Sequence, residues 1–282
     1  MEFDIESFGS QFQNTIDWML QGEHRDIIKK HLDNCLRRKN ELEANPESLD
    51  ALRFLVTLKI TNSWFRDPPD DFGDKFRSFE KQYGEDFRTE EAQERLANLI
   101  AECGVLRIPE EKAREWVREL LNNSGTLSDF TRALYNLRKK GVKAKELGLG
   151  NKGADVYLRN FGKWDRIPID IHEKRFLLRS GIYHAFSISG NQDPLQDRCL
   201  QDALSEFCRQ CLQGKIVEGI DLASAPGIVD VFIWSYCADN KSGGYNICGS
   251  APRCGVECSL TNSCLFGTCK HARQMLTNGQ EG

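Results

Sequence analysis

The stretch GLGNKG, residues 148–153, decides how the rest of the chain is interpreted. Its glycines follow the G-x-G-x-x-G pattern of dinucleotide-binding sites, and Asp170 follows at a suitable distance for that pattern. Such a site needs a buried β-strand leading into the glycines, whereas LRKKGVKAKEL, residues 137–147, is too basic for a central strand. The context therefore argues against a dinucleotide site and indicates that the glycines serve another kind of phosphate binding.

Helical periodicity surrounds this stretch, and strand signals are scarce. Residues 193–213, DPLQDRCLQDALSEFCRQCLQ, put apolar side chains on one face of a 3.6-residue repeat, which assigns Cys199, Cys208 and Cys211 to a core stripe. The same period runs through four further stretches, which are residues 24–42, 47–65, 109–123 and 126–140. The sequence therefore predicts an all-α fold.

Composition limits the class of protein. The chain has 282 residues, of which 40% are hydrophobic and 28% are charged, enough for one large domain or two small ones. It has no run of 18 apolar residues, and its N-terminus, MEFDIESFGSQ, is acidic where a signal peptide is basic and then apolar. We therefore expect an intracellular monomer with no membrane association, in the cytoplasm or nucleoid of a prokaryote or the nucleus of a eukaryote.

Charge is distributed unevenly along the chain. The net charge is −4, but residues 138–179 contain 12 Lys or Arg against 5 Asp or Glu, so this segment carries +7 and the remainder −11. A basic island in an acidic chain indicates a surface that binds a polyanion, and a solvated charged face is the alternative. The island surrounds the glycine stretch.

Two short helices joined at the glycines account for the stretch without a strand. If one helix ends at Gly148 and the next begins at Asn151, then Gly148 and Gly150 form a tight turn that exposes backbone N–H groups. Such a helix N-terminus binds phosphate through its unpaired donors and its dipole. The surrounding positive charge favours a nucleic-acid backbone over a small dinucleotide.

Two segments carry a resemblance to a known family. LGLGNKGADVYLRNFG, residues 147–162, and IPIDIHEKRFLLRSGI, residues 167–182, resemble the helix-hairpin-helix and aspartate signature of the endonuclease III superfamily of DNA base-excision glycosylases. In bifunctional members the hairpin lysine is the nucleophile and lies eighteen residues before the catalytic aspartate. Here Lys152 precedes Asp170 by eighteen residues, although Glu146 and Leu147 stand where the family has leucine and proline.

This resemblance implies a two-lobed all-α fold, with a six-helix barrel that includes the hairpin in residues 47–164 and a cluster lobe formed by residues 1–46 and 165–282. Lys152 and Asp170 would face each other across a cleft that receives a flipped base of double-stranded DNA. The implied reaction is excision of a damaged, oxidised base through a Schiff base at C1′, followed by β-elimination. The alternatives are a monofunctional mismatch or 8-oxoguanine-related glycosylase and a non-catalytic DNA-binding module.

The resemblance also implies DNA contacts beyond the catalytic pair. The residues implied to contact DNA are Gly148, Gly150, Asn151, Asn62, Ser63, Trp64, Leu106, Arg107 and His172. Residues 62–64 and 106–107 are candidate wedges that fill the gap left by the flipped base. The segment TNSWFRD, residues 61–67, departs from that of endonuclease III, so the lesion and the opposite base stay open.

Asp170 has a second interpretation that depends only on local sequence. The segment DIHE places Glu173 at the capping-box position of a helix that begins after Asp170, so the carboxylate can be an N-cap as well as a catalytic group. His172 either orients a phosphate or satisfies the same helix end.

Four cysteines lie close together near the C-terminus. Cys248, Cys254, Cys258 and Cys264 follow the spacing C-x5-C-x3-C-x5-C in a stretch rich in Gly, Ser, Pro and Asn. Such a stretch cannot form a hydrophobic core, so four thiols there indicate a metal-held loop. Endonuclease III-like enzymes carry a 4Fe-4S cluster at this end with the spacing C-x6-C-x2-C-x5-C, and the resemblance therefore implies a 4Fe-4S cluster. Zinc and no metal are the alternatives, and Cys269 or His271 can replace one ligand.

Overall fold

The computed structural model describes residues 4–61, 67–122, 125–144, 148–186, 196–255 and 257–268. In these ranges the chain is mostly helical, with thirteen α-helices and one two-stranded antiparallel hairpin. The prediction of an all-α fold is therefore confirmed. None of the helices in the same ranges combines the length and the apolar character needed to cross a membrane.

The helices are numbered in chain order. They are α1 (Ile5–Met19), α2 (Arg25–Ala44), α3 (Leu49–Ile60), α4 (Phe72–Tyr83), α5 (Glu90–Cys103), α6 (Glu110–Asn122), α7 (Leu127–Lys139), α8 (Asn151–Asn160), α9 (Ile171–Ser180), α10 (Ile182–Phe186), α11 (Asp197–Cys211), α12 (Pro226–Cys237) and α13 (Leu265–Thr268). The strands are β1 (Ile216–Val217) and β2 (Ile220–Asp221), with Ile216 opposite Asp221. Single 3₁₀ turns cover Gly84–Asp86 and Asn240–Ser242.

The chain divides into two compact units. Unit 1 consists of residues 1–34 and 164–282, and unit 2 consists of residues 35–163. The first division falls inside α2 because the second half of this helix bonds to unit 2: Arg38 donates to Asn160 Oδ1 at 2.9 Å. Of the two predicted boundaries, the one after residue 164 lies one residue from the division and the one after residue 46 lies twelve residues from it.

The described residues of unit 2 form six complete helices, α3 to α8, around one hydrophobic core. Tyr157 of α8 is fully buried there, and its hydroxyl is 2.7 Å from Thr131 Oγ1 on α7. The Tyr157 ring also lies 4.6 Å from Phe161 and 6.1 Å from Phe54 between centroids. Because α8 is anchored by buried aromatic contacts, the turn that precedes it has a fixed base.

A buried ion pair adds a second anchor between α7 and α8. The guanidinium of Arg138 donates to both carboxylate oxygens of Asp155, at 3.0 and 2.7 Å. The two side chains are only 8% and 2% exposed, and a buried charge requires such a partner. Arg138, and Arg179 in unit 1, are therefore basic-island residues that add little to its surface charge.

Unit 1 has an aromatic core of its own. Phe8 and Phe12 of α1 pack against Phe176 of α9 and Phe207 of α11, with centroid separations of 5.5 to 6.3 Å. The stripe predicted on α11 faces this core, since Cys199 and Cys208 are buried and Cys211 is half-buried.

Unit 1 also holds the extended segment that leads into α9. Gly227, in the first turn of α12, donates its N–H to the Trp164 carbonyl at 2.7 Å, and a Cβ at Gly227 would lie 2.3 Å from the Arg166 carbonyl oxygen. The amide of Gln201 on α11 donates to the Ile167 carbonyl at 2.5 Å. Helices α11 and α12 therefore fix the chain just before Asp170.

Candidate functional site

The glycine turn before α8 requires glycine for two reasons. Gly148 has φ +70°, in the left-handed region, and a Cβ on it would lie 2.3 Å from Cδ1 of Trp116. Leu149 is buried and Gly150 is exposed. The turn therefore packs tightly onto α6 at Gly148 and presents backbone to the surface at Gly150.

Helix α8 begins at a glycine. Gly150 is its N-cap and has no side chain with which to accept a bond from the first turn. The Asn151 side chain, a predicted DNA contact, instead accepts a bond from the Ala144 N–H at 3.0 Å and ties the turn to the preceding segment. Residues 145–147, the end of the first predicted hairpin helix, lie outside the described residues. Lys152 stands in the first turn of α8 and is half-buried.

Lys59 of α3 is a neighbour of this turn that the sequence does not reveal. Its Nζ donates to the Gly148 carbonyl at 3.4 Å and lies 5.2 Å from the centroid of a Trp116 ring. Burial lowers the pKa of Lys59, and the negative charges of Glu119 and Glu115 partly offset this. Its position is not predictable because 89 residues separate Lys59 from Gly148.

Helix α9, in contrast, begins with a complete capping box. Asp170 is the N-cap, and its Oδ1 accepts a bond from the His172 N–H at 2.7 Å. Glu173 Oε2 in turn accepts a bond from the Asp170 N–H at 2.9 Å. The N-cap interpretation of Asp170 is confirmed. The capping bond also fixes its carboxylate in one orientation, which a catalytic role requires.

Glu173 belongs to a buried pair of carboxyl groups. It is 1% exposed, as is Asp230 of α12, and the two side chains are hydrogen-bonded. Burial raises the pKa of Glu173 well above its usual value, and the charges of Asp230 and Asp170 raise it further. Burial and the neighbouring charges therefore favour the protonated form of Glu173, which can donate to Asp230 while it accepts from the Asp170 N–H.

The structure describes two of the predicted wedge residues, Leu106 and Arg107. Leu106 is 57% exposed, in the turn between α5 and α6, and Arg107 beside it has φ +46°. The turn is held by a bond from the Val105 N–H to the Ile60 carbonyl at 3.0 Å, at the end of α3. The other candidates, residues 62–64, lie outside the described residues.

The four cysteines of the predicted cluster line one cavity in unit 1. The cavity is lined by Cys248, Cys254, Cys258 and Cys264 together with Phe8, Phe176, Arg179, Ser180, Tyr236, Ile247, Pro252, Leu260 and Phe266. All ten cysteines of the described ranges are free thiols. Cys269 and His271, which can replace a ligand, lie outside those ranges.

Two of these four thiols accept hydrogen bonds. The Tyr236 hydroxyl donates to Cys258 Sγ at 3.3 Å, and the Gly267 N–H donates to Cys264 Sγ at 3.2 Å. Interaction with the Cys237 thiol lowers the pKa of Cys248, and interactions with Cys254 and Tyr236 lower that of Cys258. Donors therefore converge on sulfur atoms, as a set of thiolate ligands requires.

A buried arginine supports the same loop. Arg179, at the end of α9, is 3% exposed and donates to the carbonyls of Cys248, Gly249 and Ser250 at 3.4, 2.6 and 3.4 Å. Its charge also lowers the pKa of Cys248. A buried cation beside a thiol favours a net negative charge in the cavity.

A single-ion site has not formed in the described residues: no group of three or more His, Cys, Asp or Glu side chains there is arranged to hold a metal ion. The cavity nevertheless offers four sulfur donors, a cation and two hydrogen bonds to sulfur. This donor set fits an iron–sulfur cluster, which four Cys thiolates would hold.

The catalytic candidates stand in different units. Lys152 and the glycine turn belong to unit 2, whereas Asp170, His172 and the cysteines belong to unit 1. Each set has its own support: an open helix start beside an amine in unit 2, and a fixed carboxylate and a thiol-lined cavity in unit 1. Comparison with protein-family models, curated proteins and solved structures found no match.

Proposed function

We propose that this chain is a DNA N-glycosylase with AP lyase activity that acts on double-stranded DNA containing an oxidised base. One observation carries the proposal: Lys152 lies in the first turn of a helix that follows a two-glycine turn and has glycine at its N-cap. The first turn of a helix carries backbone N–H groups that can bind a phosphate, and Lys152 belongs to that turn. The fold proposed with it is the helix-hairpin-helix glycosylase fold, with the six helices of unit 2 as its barrel.

DNA binding is assigned to the start of α8 and to the cations near it. Lys139, Lys140 and Lys143 are exposed in the segment that precedes the turn. When such cations bind the phosphates of a duplex, counterions are released. This release gives an affinity for DNA that does not depend on the base sequence. The helix start fixes the register of the duplex on the protein.

Lys152 is assigned as the nucleophile. Its amine attacks C1′ of the flipped nucleotide, and the C1′–N bond breaks with its electron pair leaving on the base. Ring opening then gives a Schiff base between Nζ and C1′. Loss of a C2′ proton and of the 3′ phosphate cleaves the strand, and hydrolysis releases the amine.

Asp170 is assigned to the charge that develops on the sugar. Expulsion of the base leaves positive charge on the sugar, and a preoriented carboxylate stabilises that charge without reorganisation. The capping bond from the His172 N–H to Asp170 Oδ1 at 2.7 Å supports this role, since it holds the carboxylate in place. The proposal requires Lys152 and Asp170 to act on the same nucleotide.

Leu106 is assigned as a wedge. It is an exposed apolar side chain, 57% exposed, on a turn whose backbone is anchored to α3. An apolar side chain on a rigid turn can enter the base stack and occupy the space that a flipped base leaves.

The cysteine cavity is assigned to a 4Fe-4S cluster held by Cys248, Cys254, Cys258 and Cys264. When bound, the cluster supplies a cross-link that holds residues 248–264 in one conformation. Iron and acid-labile sulfide in a brown purified protein support this assignment. A colourless protein with stoichiometric zinc, or with no metal, contradicts it.

Borohydride trapping tests the proposed reaction. The chain is incubated with duplexes that carry an oxidised pyrimidine, 8-oxoguanine or a mismatch, and sodium borohydride is added to reduce any Schiff base. A covalent adduct that is lost in Lys152→Ala and kept in Lys143→Ala supports the lyase, since both variants remove one cation of the basic island. Base release without an adduct contradicts the nucleophile and leaves a monofunctional glycosylase. Tight binding without base release contradicts catalysis and leaves a DNA-binding module.

A further inference from the structure

The last turn of α12 directs a tyrosine at one thiol of the cavity. The Tyr236 hydroxyl donates to Cys258 Sγ at 3.3 Å. Tyr236 is fully buried. This donor is therefore committed to the cavity and excluded from water.

The Tyr236 hydroxyl has a strong acceptor only if Cys258 is a thiolate. Its other neighbour, Ser259 Oγ, lies 3.4 Å away and is itself 2.9 Å from Thr15 Oγ1. A neutral thiol is a weak acceptor, and a buried hydroxyl with a weak partner costs free energy. A metal-bound thiolate removes that cost, because a bond to a charged acceptor is about twice as strong as a neutral one.

Resting on the proposed cluster, we propose that Tyr236 raises the reduction potential of the iron–sulfur group and protects it from oxidative loss. A hydrogen bond to a ligand sulfur withdraws negative charge from the cluster, which favours the more reduced state and raises the potential. The donor comes from the last turn of a buried helix. The effect is therefore built into the core of unit 1.

Tyr236 is the donor whose removal is cleanest. The Gly267 N–H is part of the backbone, and replacing Arg179 would also free three loop carbonyls. Tyr236→Phe deletes only a hydroxyl and keeps the buried ring. Tyr245→Phe is the matched control, since Tyr245 is a buried tyrosine of unit 1 whose hydroxyl donates to the Met19 carbonyl at 3.3 Å.

The test is the midpoint potential of the purified full-length chain by protein-film voltammetry, with the rate of loss of visible absorption in air. We expect Tyr236→Phe to have a more negative potential and to bleach several-fold faster, and Tyr245→Phe to match the parent. Tyr236→Leu also removes the hydroxyl, should shift the potential in the same direction, and serves if Tyr236→Phe fails to load. A loaded Tyr236→Phe or Tyr236→Leu with the parent's potential overturns the inference.

This outcome is separable from the proposed reaction. Neither measurement uses DNA, so a chain that never excises a base still tests the role of Tyr236. If the parent chain holds no iron or sulfide, the cluster and this inference are both overturned. If it holds the cluster and only the variants are indistinguishable from it, the cluster stands and the role of Tyr236 falls.

Discussion

Helices α8 and α9 begin in opposite ways. The start of α8 has glycine, which has no side-chain acceptor, at its N-cap, whereas the start of α9 has a complete capping box between Asp170 and Glu173. Helix α8 is instead held along its body, by the buried Arg138–Asp155 pair and by Tyr157. The helix with glycine at its N-cap is the one that buried contacts anchor along its body. The capped start of α9 shows that a capping bond can hold a carboxylate in place.

The largest effect on stability is expected from breaking the buried ion pair that anchors α8. Asp155→Ala leaves the buried guanidinium of Arg138 without its bidentate partner and should lower the free energy of unfolding by about 3–5 kcal/mol. Urea denaturation measures the change. The double variant Arg138→Met, Asp155→Leu is the control, since it removes both charges and should recover most of the loss. A single variant as stable as the parent contradicts this anchor.

Gly148→Ala tests the turn before the open start. Its φ of +70° and the 2.3 Å approach to Trp116 Cδ1 should together cost roughly 2–4 kcal/mol of stability, with a loss of affinity for duplex DNA. Gly214→Ala is matched in backbone, with φ +74° and no atom within 4 Å, and should cost only about 1–2 kcal/mol. Equal losses in thermal unfolding would show that the Trp116 contact is unimportant.

Substitutions of Asp170 distinguish its helix-capping role from its proposed catalytic role. Asn caps a helix about as well as Asp, so Asp170→Asn should leave stability nearly unchanged, whereas Asp170→Ala should cost about 1 kcal/mol. Base release should fall by about 100-fold or more in both, because both lose the negative charge beside the sugar. Single-turnover kinetics and thermal unfolding give the two readouts. An active Asp170→Asn contradicts the electrostatic role.

The smallest effect is expected from Glu173→Gln and depends on pH. The folded pKa of Glu173 is raised by burial and by Asp230 and Asp170, so its contribution to stability is complete below the ordinary pKa of a glutamate and is lost as pH rises through the folded pKa. Glutamine keeps both hydrogen bonds and does not titrate. The melting temperature of the variant relative to the parent should therefore rise with pH. A pH-independent difference contradicts a protonated Glu173.

Local signals in the sequence predict much of this structure. The 3.6-residue period predicts helices at α6, α7 and α11, and the four-residue segment DIHE predicts the cap at Asp170 because donor and acceptor are neighbours in the chain. The two glycines predict a turn before α8, and Gly148 has the positive φ that such a turn uses.

Contacts between distant segments leave no such signal. The bond from Lys59 to Gly148 spans 89 residues, and the bond from Tyr236 to Cys258 spans 22 and joins two separate segments. A lysine on α3 or a tyrosine on α12 matches an ordinary helical pattern, so only the fold shows which partner each side chain meets.

Identifying the lysine that borohydride traps is the direct test of whether Lys152 is the nucleophile. The chain is reduced with borohydride on damaged duplex, digested with protease and nuclease, and the sugar-modified peptide is identified by mass spectrometry. We expect the modification on Lys152. A modification on Lys59, the half-buried amine beside the same turn, or on any other lysine would contradict the assignment of Lys152 as the nucleophile.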